Sequence, residues 1–470
     1  MAATWQPDLP DDGRTLHDRI LDALRRDIAT GRLAPDTRMP TQRALAEALS
    51  IGVGTVTRAY AEAERLGWLT STVGRGTFVS GPATKSAQPE TAGNAIDLGM
   101  NLPALGPSAE RIADALARLR RRPDIGDYTL FAPHPGFDWH RQAAADWLAH
   151  VVKFDGIDWR RLLVCTGAQQ AMALAFDDAC RPGDTIMVEA ATFHGARAIA
   201  DYRGYRLMGL PMDRDGLLPE ALDRAAAESG SRVVYLQPTL QNPTARTMPA
   251  ARREAIAAVA RQRDLLVVEG DVYGPLAWVN ADIDRGLRDA RPLATLIPER
   301  TYYVNSVSKA LSPGLRCGFL VAPKDRFDRV AAAMRAVCYS TCTLGPLVAA
   351  QWIKDGTADD ILHEVTAEAA NRAALALRVL GDAVERPSFP TSLHVWMPLS
   401  ELDAERTAGR ALRRGVALTP PAALIVAGEH VCGLRLCLSA PRDMASLERG
   451  LRGVAAAMTA AGDDSPQSVV

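Results

Sequence analysis

The 470-residue sequence lacks any cysteine pair with the spacing of a metal site or a redox motif. Its seven cysteines are scattered along the chain, with no C-x-x-C among them. Unpaired thiols of this kind are typical of a reducing compartment, where disulfides are rare. We therefore expect free cysteines, no bound metal and a cytoplasmic location.

An excess of charge and a long apolar run are also missing. Lys and Arg number 54 against 55 Asp and Glu, so the net charge is −1. This balance excludes a uniformly basic nucleic-acid coat but leaves room for one local basic module. No run approaches about 18 apolar residues, so no membrane-spanning helix is predicted. The N-terminal segment is acidic and has no apolar core, so we expect no signal peptide.

What the sequence does contain is enough apolar residues, 47% of the chain, for ordinary globular cores. At roughly 100–200 residues per domain, the length predicts two to four domains. Residues 81–95 are small and polar, contain Pro and Gly, and show no hydrophobic periodicity, which predicts a linker. The predicted organisation is a small domain over 1–80, this linker, a large domain over 96–344 and a C-terminal subdomain over 345–470.

The first 80 residues have the pattern of a helix-turn-helix followed by a two-stranded ribbon. Thr41 is placed to cap the second helix, and Val56, Tyr60 and Ala63 are expected to face inward from the third. A ribbon is predicted to turn at residues 74–76, with an arginine at its tip. The predicted helices cover 15–30, 42–49 and about 55–66.

This small domain is basic. From Arg14 to Ser80 there are 10 Arg and no Lys against 7 Asp plus Glu, a net charge of +3. A small helical cap with solvated arginines would show the same excess. However, recognition helices read bases from their N-terminal ends, and an arginine on a ribbon tip suits a phosphate or the minor groove. The residues predicted to contact double-stranded DNA are Arg38, Thr41, Arg43, Thr55, Thr57, Arg58 and Arg75.

Residues 39–79 closely resemble the GntR-family winged helix. In that family a P-S/T-x-R-x-L-A helix, a T-V-x-x-A-Y helix and a G-x-G-T-F-V wing recur, and all three are found here in order. The resemblance implies DNA binding. One departure is Gly54, which stands where the family often has Arg or Lys before the T-V pair.

The larger part alternates short apolar runs with amphipathic helices, which predicts a parallel α/β sheet. After about residue 345 the pattern changes to long helices and sparse strands, so we expect a smaller α+β subdomain there. The predicted strands lie within 161–165, 185–189, 232–236, 265–269, 301–306, 317–322, 392–397 and 434–439.

Two motifs fall at the expected C-terminal ends of these strands, where open α/β sheets bind ligands. Residues 306–319 place Lys309 on a loop, where it could join covalently to an aldehyde cofactor. Residues 165–172 place small side chains at a strand-to-helix turn, whose free N–H groups favour phosphate. Either motif alone is weak. Together they predict a phosphate cup formed by Gly167, Ala168, Gln169, Ser306, Ser308 and Arg316.

These segments resemble the fold type I pyridoxal phosphate enzymes, the aminotransferases, over residues 96 to about 460. The resemblance implies that Phe193 stacks on the cofactor ring, and that Asn242 and Tyr273 bind its phenolic oxygen. It also implies that Arg435 binds a substrate or effector carboxylate. Phe131 stands where the family usually has a Tyr that reaches the neighbouring subunit's phosphate.

A further departure concerns the aspartate that keeps the pyridine nitrogen protonated. The family pattern D-x-x-Y, counted back from Tyr273, falls on Gly270, with Glu269 and Asp271 on either side. Because successive strand side chains point to opposite faces, Asp271 could replace the missing carboxylate only if the strand end bulges. Two interpretations stay open: either Asp271 reaches the ring, or the cofactor binds with impaired transamination chemistry.

A GntR winged helix joined to an aminotransferase-like domain is the architecture of the MocR/GabR-type regulators. The resemblance implies a transcriptional regulator that binds operator DNA, holds pyridoxal phosphate on Lys309, responds to an amino-compound effector and forms a homodimer. An active aminotransferase with a vestigial winged helix is the alternative. A third hypothesis is a regulator whose large domain has lost the cofactor and serves only for dimerisation.

Overall fold

We describe a computed structural model of the chain, covering residues 5–10, 13–34, 37–66, 68–72, 76–79, 95–277, 287 and 289–459. The chain divides into two compact units, Met1–Thr91 and Ala92–Val470. The predicted linker, 81–95, lies outside the described residues except for Ala95. Across the ranges given above, no helix is long and apolar enough to cross a membrane.

The smaller unit is a three-helix cluster with a β-ribbon. Thr41 caps the second helix as predicted, accepting from the Ala44 N–H at 3.2 Å, and Val56, Tyr60 and Ala63 are buried. The third helix begins two residues earlier than predicted because Gly52, in extended backbone, serves as its N-cap. The elements are α1 (Leu16–Ala29), α2 (Gln42–Ala48), α3 (Val53–Arg65), β1 (Leu69–Thr72) and β2 (Gly76–Val79).

The larger unit begins with a short strand and then alternates strands with helices. From 96 to 277 its elements are β3 (Ile96–Asp97), α4 (Ala109–Leu119), α5 (Asp138–Val151), β4 (Leu162–Cys165), α6 (Ala168–Ala179), β5 (Thr185–Glu189), α7 (His194–Arg203), β6 (Arg206–Leu210), β7 (Met212–Asp213), β8 (Gly216–Leu217), α8 (Pro219–Ser229), β9 (Val233–Leu236), α9 (Ala250–Gln262), β10 (Leu266–Gly270) and α10 (Gly274–Ala277). From 293 to 459 they are α11 (Leu293–Leu296), β11 (Thr301–Ser306), β12 (Gly318–Val321), α12 (Phe327–Cys338), α13 (Leu344–Asp355), α14 (Thr357–Leu380), β13 (His394–Pro398), α15 (Glu401–Arg413), β14 (Val416–Ala417), α16 (Pro421–Leu424), β15 (Gly433–Cys437) and α17 (Met444–Thr459).

The central sheet has seven strands in the order β4-β12-β11-β10-β9-β5-β6. It is mixed: six strands run parallel, as the predicted parallel sheet requires, whereas β12 runs antiparallel to both of its neighbours. The connection from β11 to β12 is a short loop without a crossover helix, so the chain returns in the opposite direction. Helices α6, α7 and α12 pack on one face, and α5, α8, α9 and α13 cover the other.

A separate hydrophobic cluster forms near the C-terminus. It joins the antiparallel pair β13–β15 to the second half of α14 and to α15 and α17. The first residues of the unit join it too, since β3 pairs with β14 through Ile96 and Val416. The strand that begins the larger unit is therefore part of its C-terminal cluster.

Candidate functional site

Three strand ends lie side by side at the C-terminal edge of the sheet. Ser306 of β11 pairs with Gly318 of β12, and Gly318 pairs with Cys165 of β4. A side chain at Gly318 would run into the backbone of Gly167. The glycine therefore allows the turn that follows β4 to lie directly over the end of β12.

That turn and the loop after β11 together form the predicted phosphate cup. Gly167, at φ +83°, begins α6, and the guanidinium of Arg316 lies against it. Arg316 also donates to the Thr166 carbonyl at 3.1 Å. The buried Ser306 hydroxyl accepts from the Ser308 N–H at 3.3 Å. A helix N-terminus beside a guanidinium and hydroxyls is a suitable site for a phosphate dianion.

Gln169 and Phe193 meet at the start of α7. The Gln169 amide donates to the Gly195 carbonyl at 2.9 Å. A side chain at Gly195 would run into both Gln169 and the Phe193 ring, so the ring lies close over this glycine. Phe193 packs partly buried against the apolar cluster beneath α6 and α7. The structure thus places this aromatic next to the helix that begins the phosphate cup.

Lys309 lies next to the phosphate cup, with its ammonium donating to the Asn101 carbonyl. Burial lowers the pKa of Lys309 to about 8, and the nearby charges of Arg435 and Arg316 contribute to the decrease. A lysine whose pKa falls this close to neutral pH keeps a useful fraction of free amine.

Tyr273 is bound by two amides. Its hydroxyl oxygen accepts from Asn101 at 3.0 Å and from Asn242 at 3.3 Å. Burial raises the pKa of Tyr273, so the hydroxyl stays protonated and remains able to donate. The predicted pair Asn242 and Tyr273 therefore lies together.

Arg435 of β15 is buried and connects this network to the C-terminal cluster. Its guanidinium donates to Asn242 Oδ1 at 2.8 Å, to the Gly99 carbonyl at 2.6 Å and to the Thr419 hydroxyl at 2.8 Å. Its Nε has no hydrogen-bond partner among the residues described. All of its acceptors in the described part of the chain are neutral, so no described carboxylate is hydrogen-bonded to this buried cation.

Two further residues, Asn101 and His394, also belong to the site, although the sequence did not single them out. His394 Nε2 lies 3.1 Å from the Gln241 carbonyl, and its Nδ1 lies 3.0 Å from the Asn101 amide nitrogen. Burial lowers the pKa of His394 to about 3, so the ring is neutral. An isolated His within the apolar run of β13 was the only signal, and nothing in the local sequence marks Asn101.

Asp271 is the predicted site residue that the structure does not bring to this network. Its carboxylate accepts from the Tyr303 hydroxyl at 2.7 Å, and the Asn305 amide donates to its carbonyl at 2.6 Å. Tyr303 belongs to the cluster beneath α5 and α13, on the sheet face opposite α6. Burial raises the pKa of Asp271 to about 6. The strand end does not bulge: side chains alternate through Gly270, which leaves Asp271 facing away from the phosphate cup.

The predicted DNA-contacting residues lie in the smaller unit. Arg43 and Arg58 are exposed on α2 and α3, Thr57 bonds Gln42 at 2.8 Å, and Arg58 Nε donates to the Gly54 carbonyl at 3.4 Å. Thr41 and Thr55 lie at the N-terminal ends of the same two helices, exposed and partly exposed. The Arg38 side chain is exposed and lies against Gly76 of the ribbon. Arg75, which the sequence predicts at the ribbon tip, lies outside the described residues.

Comparison with known families gives one match for each part of the chain. Residues 94–454 match the family "Aminotransferase class I and II", and residues 16–79 match "Bacterial regulatory proteins, gntR family". The first of these covers more than half of the chain.

Individual relatives match this chain over most or nearly all of its length. The chain is 25% identical to the uncharacterized HTH-type transcriptional regulator YdeF of Bacillus subtilis, over 95% of each protein. It is 26% identical to the HTH-type pyridoxine biosynthesis transcriptional regulator PdxR of Corynebacterium glutamicum, over 70% of each. Among solved structures, the α-aminoadipate aminotransferase LysN of Thermus thermophilus, complexed with N-(5'-phosphopyridoxyl)-L-leucine, is 25% identical, with a TM-score of 0.68 over 85% of this chain and 98% of that one. This chain belongs to the aminotransferase class I and II family and carries in front of that domain a winged helix of the gntR family of bacterial regulatory proteins.

Proposed function

We propose that this pyridoxal phosphate-dependent transcriptional regulator senses an amino compound with a carboxylate at the site around Lys309. The observation that carries the proposal is the single network of Asn101, Asn242, Tyr273 and Arg435 beside that lysine. It offers an amine-reactive position and a carboxylate receptor within one buried group of side chains.

The residues present fit the cofactor at its phosphate end. Arg316 and Gly167 form a cradle that a side chain at Gly167 would fill. When bound, pyridoxal phosphate supplies an aldehyde that joins to primary amines and a ring that withdraws electrons. Arg316, Ser306, Ser308 and the N-terminus of α6 would hold its phosphate, with Phe193 against the ring and Asn242 and Tyr273 at the phenolic oxygen.

The effector would be recognised by two groups. Lys309 would hold the cofactor's aldehyde, and its lowered pKa would keep part of this side chain as the neutral amine that such a bond requires, at the position an effector's amine would compete for. Arg435 offers a planar pair of N–H donors that matches a carboxylate, which is a stronger acceptor than its present neutral partners. An amine that lacks a carboxylate would leave Arg435 unchanged and bind more weakly.

The response would be read out at DNA by the winged helices of a homodimer. Leu130, Phe131, Val337, Tyr339 and Leu344 form an apolar surface, here called the 130–344 patch. Phe131 is 75% and Leu130 68% exposed, and the Phe131 ring contacts Tyr339 edge-on with centroids 4.9 Å apart. Apolar patches of this kind mark protein–protein contacts. A second copy on this patch would give two winged helices and a preference for paired half-sites in a cytoplasmic operator complex.

The alternative, an active aminotransferase, has one feature against it. Gly270 leaves no carboxylate on the α6 face of the sheet at the position where the family has its pyridine-nitrogen aspartate. An assay of an amino-acid panel with a keto-acid acceptor separates the two functions. Rapid multiple turnover would favour the enzyme, and binding of an amino compound without turnover would favour the sensor.

The first test is a spectroscopic titration of the purified protein with pyridoxal phosphate. We expect a saturable visible absorption band that Lys309→Ala loses and that Lys324→Ala, an exposed lysine on the same unit, retains. A band that persists in Lys309→Ala, or no band in any of the three proteins, would contradict the proposed site.

A further inference from the structure

Residue 270, where the family has its pyridine-nitrogen aspartate, is a glycine in this chain. The space beside it is taken by Tyr235 of the neighbouring strand β9. A Cβ built on Gly270 would lie 3.1 Å from the Tyr235 hydroxyl oxygen and 3.2 Å from Cε2 of the same ring. It would also lie 3.4 Å from Cγ of Gln237. An aspartate at 270 would therefore extend into the space beside the Tyr235 hydroxyl.

Tyr235 belongs to the face of the sheet that carries the phosphate cup. It lies on β9, where it pairs with Val268 of β10 and Val188 of β5. Its ring is buried and packs edge-on against Phe176 of α6, with centroids 5.7 Å apart. Gly270 is two residues beyond Val268, so it lies on the same face. The hydroxyl thus reaches the strand ends on the side of α6.

The ionisable groups near Tyr235 carry little negative charge at neutral pH. Glu189, at the end of β5, accepts from the Gln237 N–H at 3.2 Å and from the Gln241 amide at 3.0 Å. Burial raises the pKa of Glu189 to about 8, so it is largely protonated at pH 7. Burial also raises the pKa values of Tyr235 and Tyr273 well above their ordinary value, so both phenols stay neutral.

The other charged groups of these strand ends lie on the opposite face. Glu269 accepts from the N–H groups of Leu293 and Ala294, each at 2.9 Å, at the start of α11. Asp271 accepts from Tyr303, and the buried Arg253 of α9 interacts electrostatically with both carboxylates. None of these described contacts reaches the face that holds Tyr235.

We propose that the Tyr235 hydroxyl is the hydrogen-bond partner of the cofactor's pyridine nitrogen and that this nitrogen is unprotonated in the bound state. The inference rests on the proposed function, because it requires that pyridoxal phosphate occupy the Lys309 site. A carboxylate within hydrogen-bond distance would raise the pKa of the ring nitrogen by about 1–3 pH units, whereas a neutral phenol donates a hydrogen bond and leaves the nitrogen uncharged.

The consequence concerns the fate of a bound amino compound. An unprotonated ring is a weaker electron acceptor, so Tyr235 in place of a carboxylate favours reversible capture of an amine over its conversion. Tyr235 and Gly270 would then be the residues that make the site a sensor. Both residues act on the protonation of the cofactor's ring nitrogen, which can be observed without any measurement of turnover.

The test uses the full-length protein loaded with pyridoxal phosphate labelled with ¹⁵N in the ring. We expect the ring-nitrogen resonance of the wild type at the position of an unprotonated pyridine from pH 6.5 to 8.5, and we expect Tyr235→Phe to shift it further from the protonated position. The double variant Gly270→Asp/Tyr235→Phe, which makes room for the carboxylate, should shift it upfield to the protonated position. Tyr302→Phe is the control, because that buried tyrosine bonds Asp178 on α6.

The outcomes separate this inference from the proposed function. Retention of the visible band shows that each variant folds and holds the cofactor. A protonated wild-type nitrogen, or a resonance that Tyr235→Phe leaves unmoved while the band is retained, would overturn the role of Tyr235 alone. Failure of the wild type to bind labelled cofactor would overturn the proposed function, and this inference with it.

Discussion

At the scale of single residues, the environment of Lys309 determines how readily the site is loaded. Its ammonium has one carbonyl acceptor, that of Asn101, and two cations, Arg316 and Arg435, close enough to lower its pKa. Protonated lysine is held by the carbonyl and is not nucleophilic, whereas the neutral amine reacts with an aldehyde. Loading should therefore follow the neutral fraction of this one side chain.

We predict that the rate of pyridoxal phosphate binding to the apo protein rises about fivefold between pH 7 and pH 8 and levels off above pH 9. The increase follows from a pKa of about 8, because the neutral fraction grows from about a tenth to a half over that interval. Stopped-flow absorbance of the visible band measures it, with Nα-acetyl-lysine as the reference amine. A rate that still rises about sevenfold between pH 9 and pH 10, as for the reference, would show that Lys309 has an ordinary pKa.

Single residues also show where sequence reasoning ends. Lys309, Arg316, Asn242, Tyr273 and Arg435 could be proposed because each lies in a short motif that resembles a known family. Asn101 and His394 are almost 300 positions apart and meet through one hydrogen bond, so no local pattern identifies them. Gly270 was noticed in the sequence, but the hydroxyl of Tyr235 beside it depends on the register between β9 and β10.

At the scale of elements, the apolar runs predicted where most strands lie along the chain. They did not predict the order in which the strands lie in the sheet. The runs at 185–189 and 301–306 coincide with β5 and β11. The edge strand β6 was missed because its residues are only partly buried and include a glycine. The antiparallel direction of β12 could not be predicted from its composition, since direction is set by the short loop that carries Lys309.

The elements predicted to face DNA lead to a prediction about salt dependence. Arg43 and Arg58 are exposed on α2 and α3, within a unit of net charge +3 from Arg14 to Ser80. Each arginine that contacts a phosphate releases about one counterion when the complex forms. Arg43→Ala or Arg58→Ala should therefore weaken binding and lower the steepness of log K against log salt by about 1. Fluorescence anisotropy with a fragment from the protein's own promoter region, at several salt concentrations, measures both.

The matched control for this measurement is Arg449→Ala. Arg449 is exposed on α17 of the larger unit and bonds Ser446, so its loss removes the same charge from another part of the chain. We expect it to leave affinity and slope unchanged. Equal effects of Arg449→Ala and Arg58→Ala would mean that net charge, and not the α2–α3 surface, governs DNA binding.

At the scale of the whole molecule, the proposed homodimer depends on the 130–344 patch. It contains five large apolar side chains that are each more than half exposed, including Tyr339 at 54% and Val337 at 60%. Complete burial of a large apolar side chain contributes about 1.5–3 kcal/mol, and covering the exposed parts of these five would contribute a share of that for each. Phe131, which lacks the hydroxyl of the usual family tyrosine, can contribute to such a contact only by apolar packing.

We predict that Phe131→Arg converts the protein from dimer to monomer at micromolar concentration. A guanidinium placed in the centre of a buried apolar contact loses its hydration without gaining a partner. Light scattering coupled to size exclusion measures the molar mass, which should halve. Leu412→Arg, at an exposed leucine on α15 outside the patch, should stay dimeric. A dimer in both variants would exclude the 130–344 patch as the contact.

One hydrogen bond in the larger unit joins the proposed carboxylate-binding residue, Arg435, to the backbone of the segment with which that unit begins. Residues 96–98 are bound to β14 and β15, and the next carbonyl, that of Gly99, is an acceptor of Arg435. A carboxylate that captures this guanidinium must compete with the backbone that leads to the winged helix. Under the proposed function, an effector carboxylate would therefore weaken the hydrogen bond from Arg435 to the Gly99 carbonyl, in the segment with which the described part of the larger unit begins.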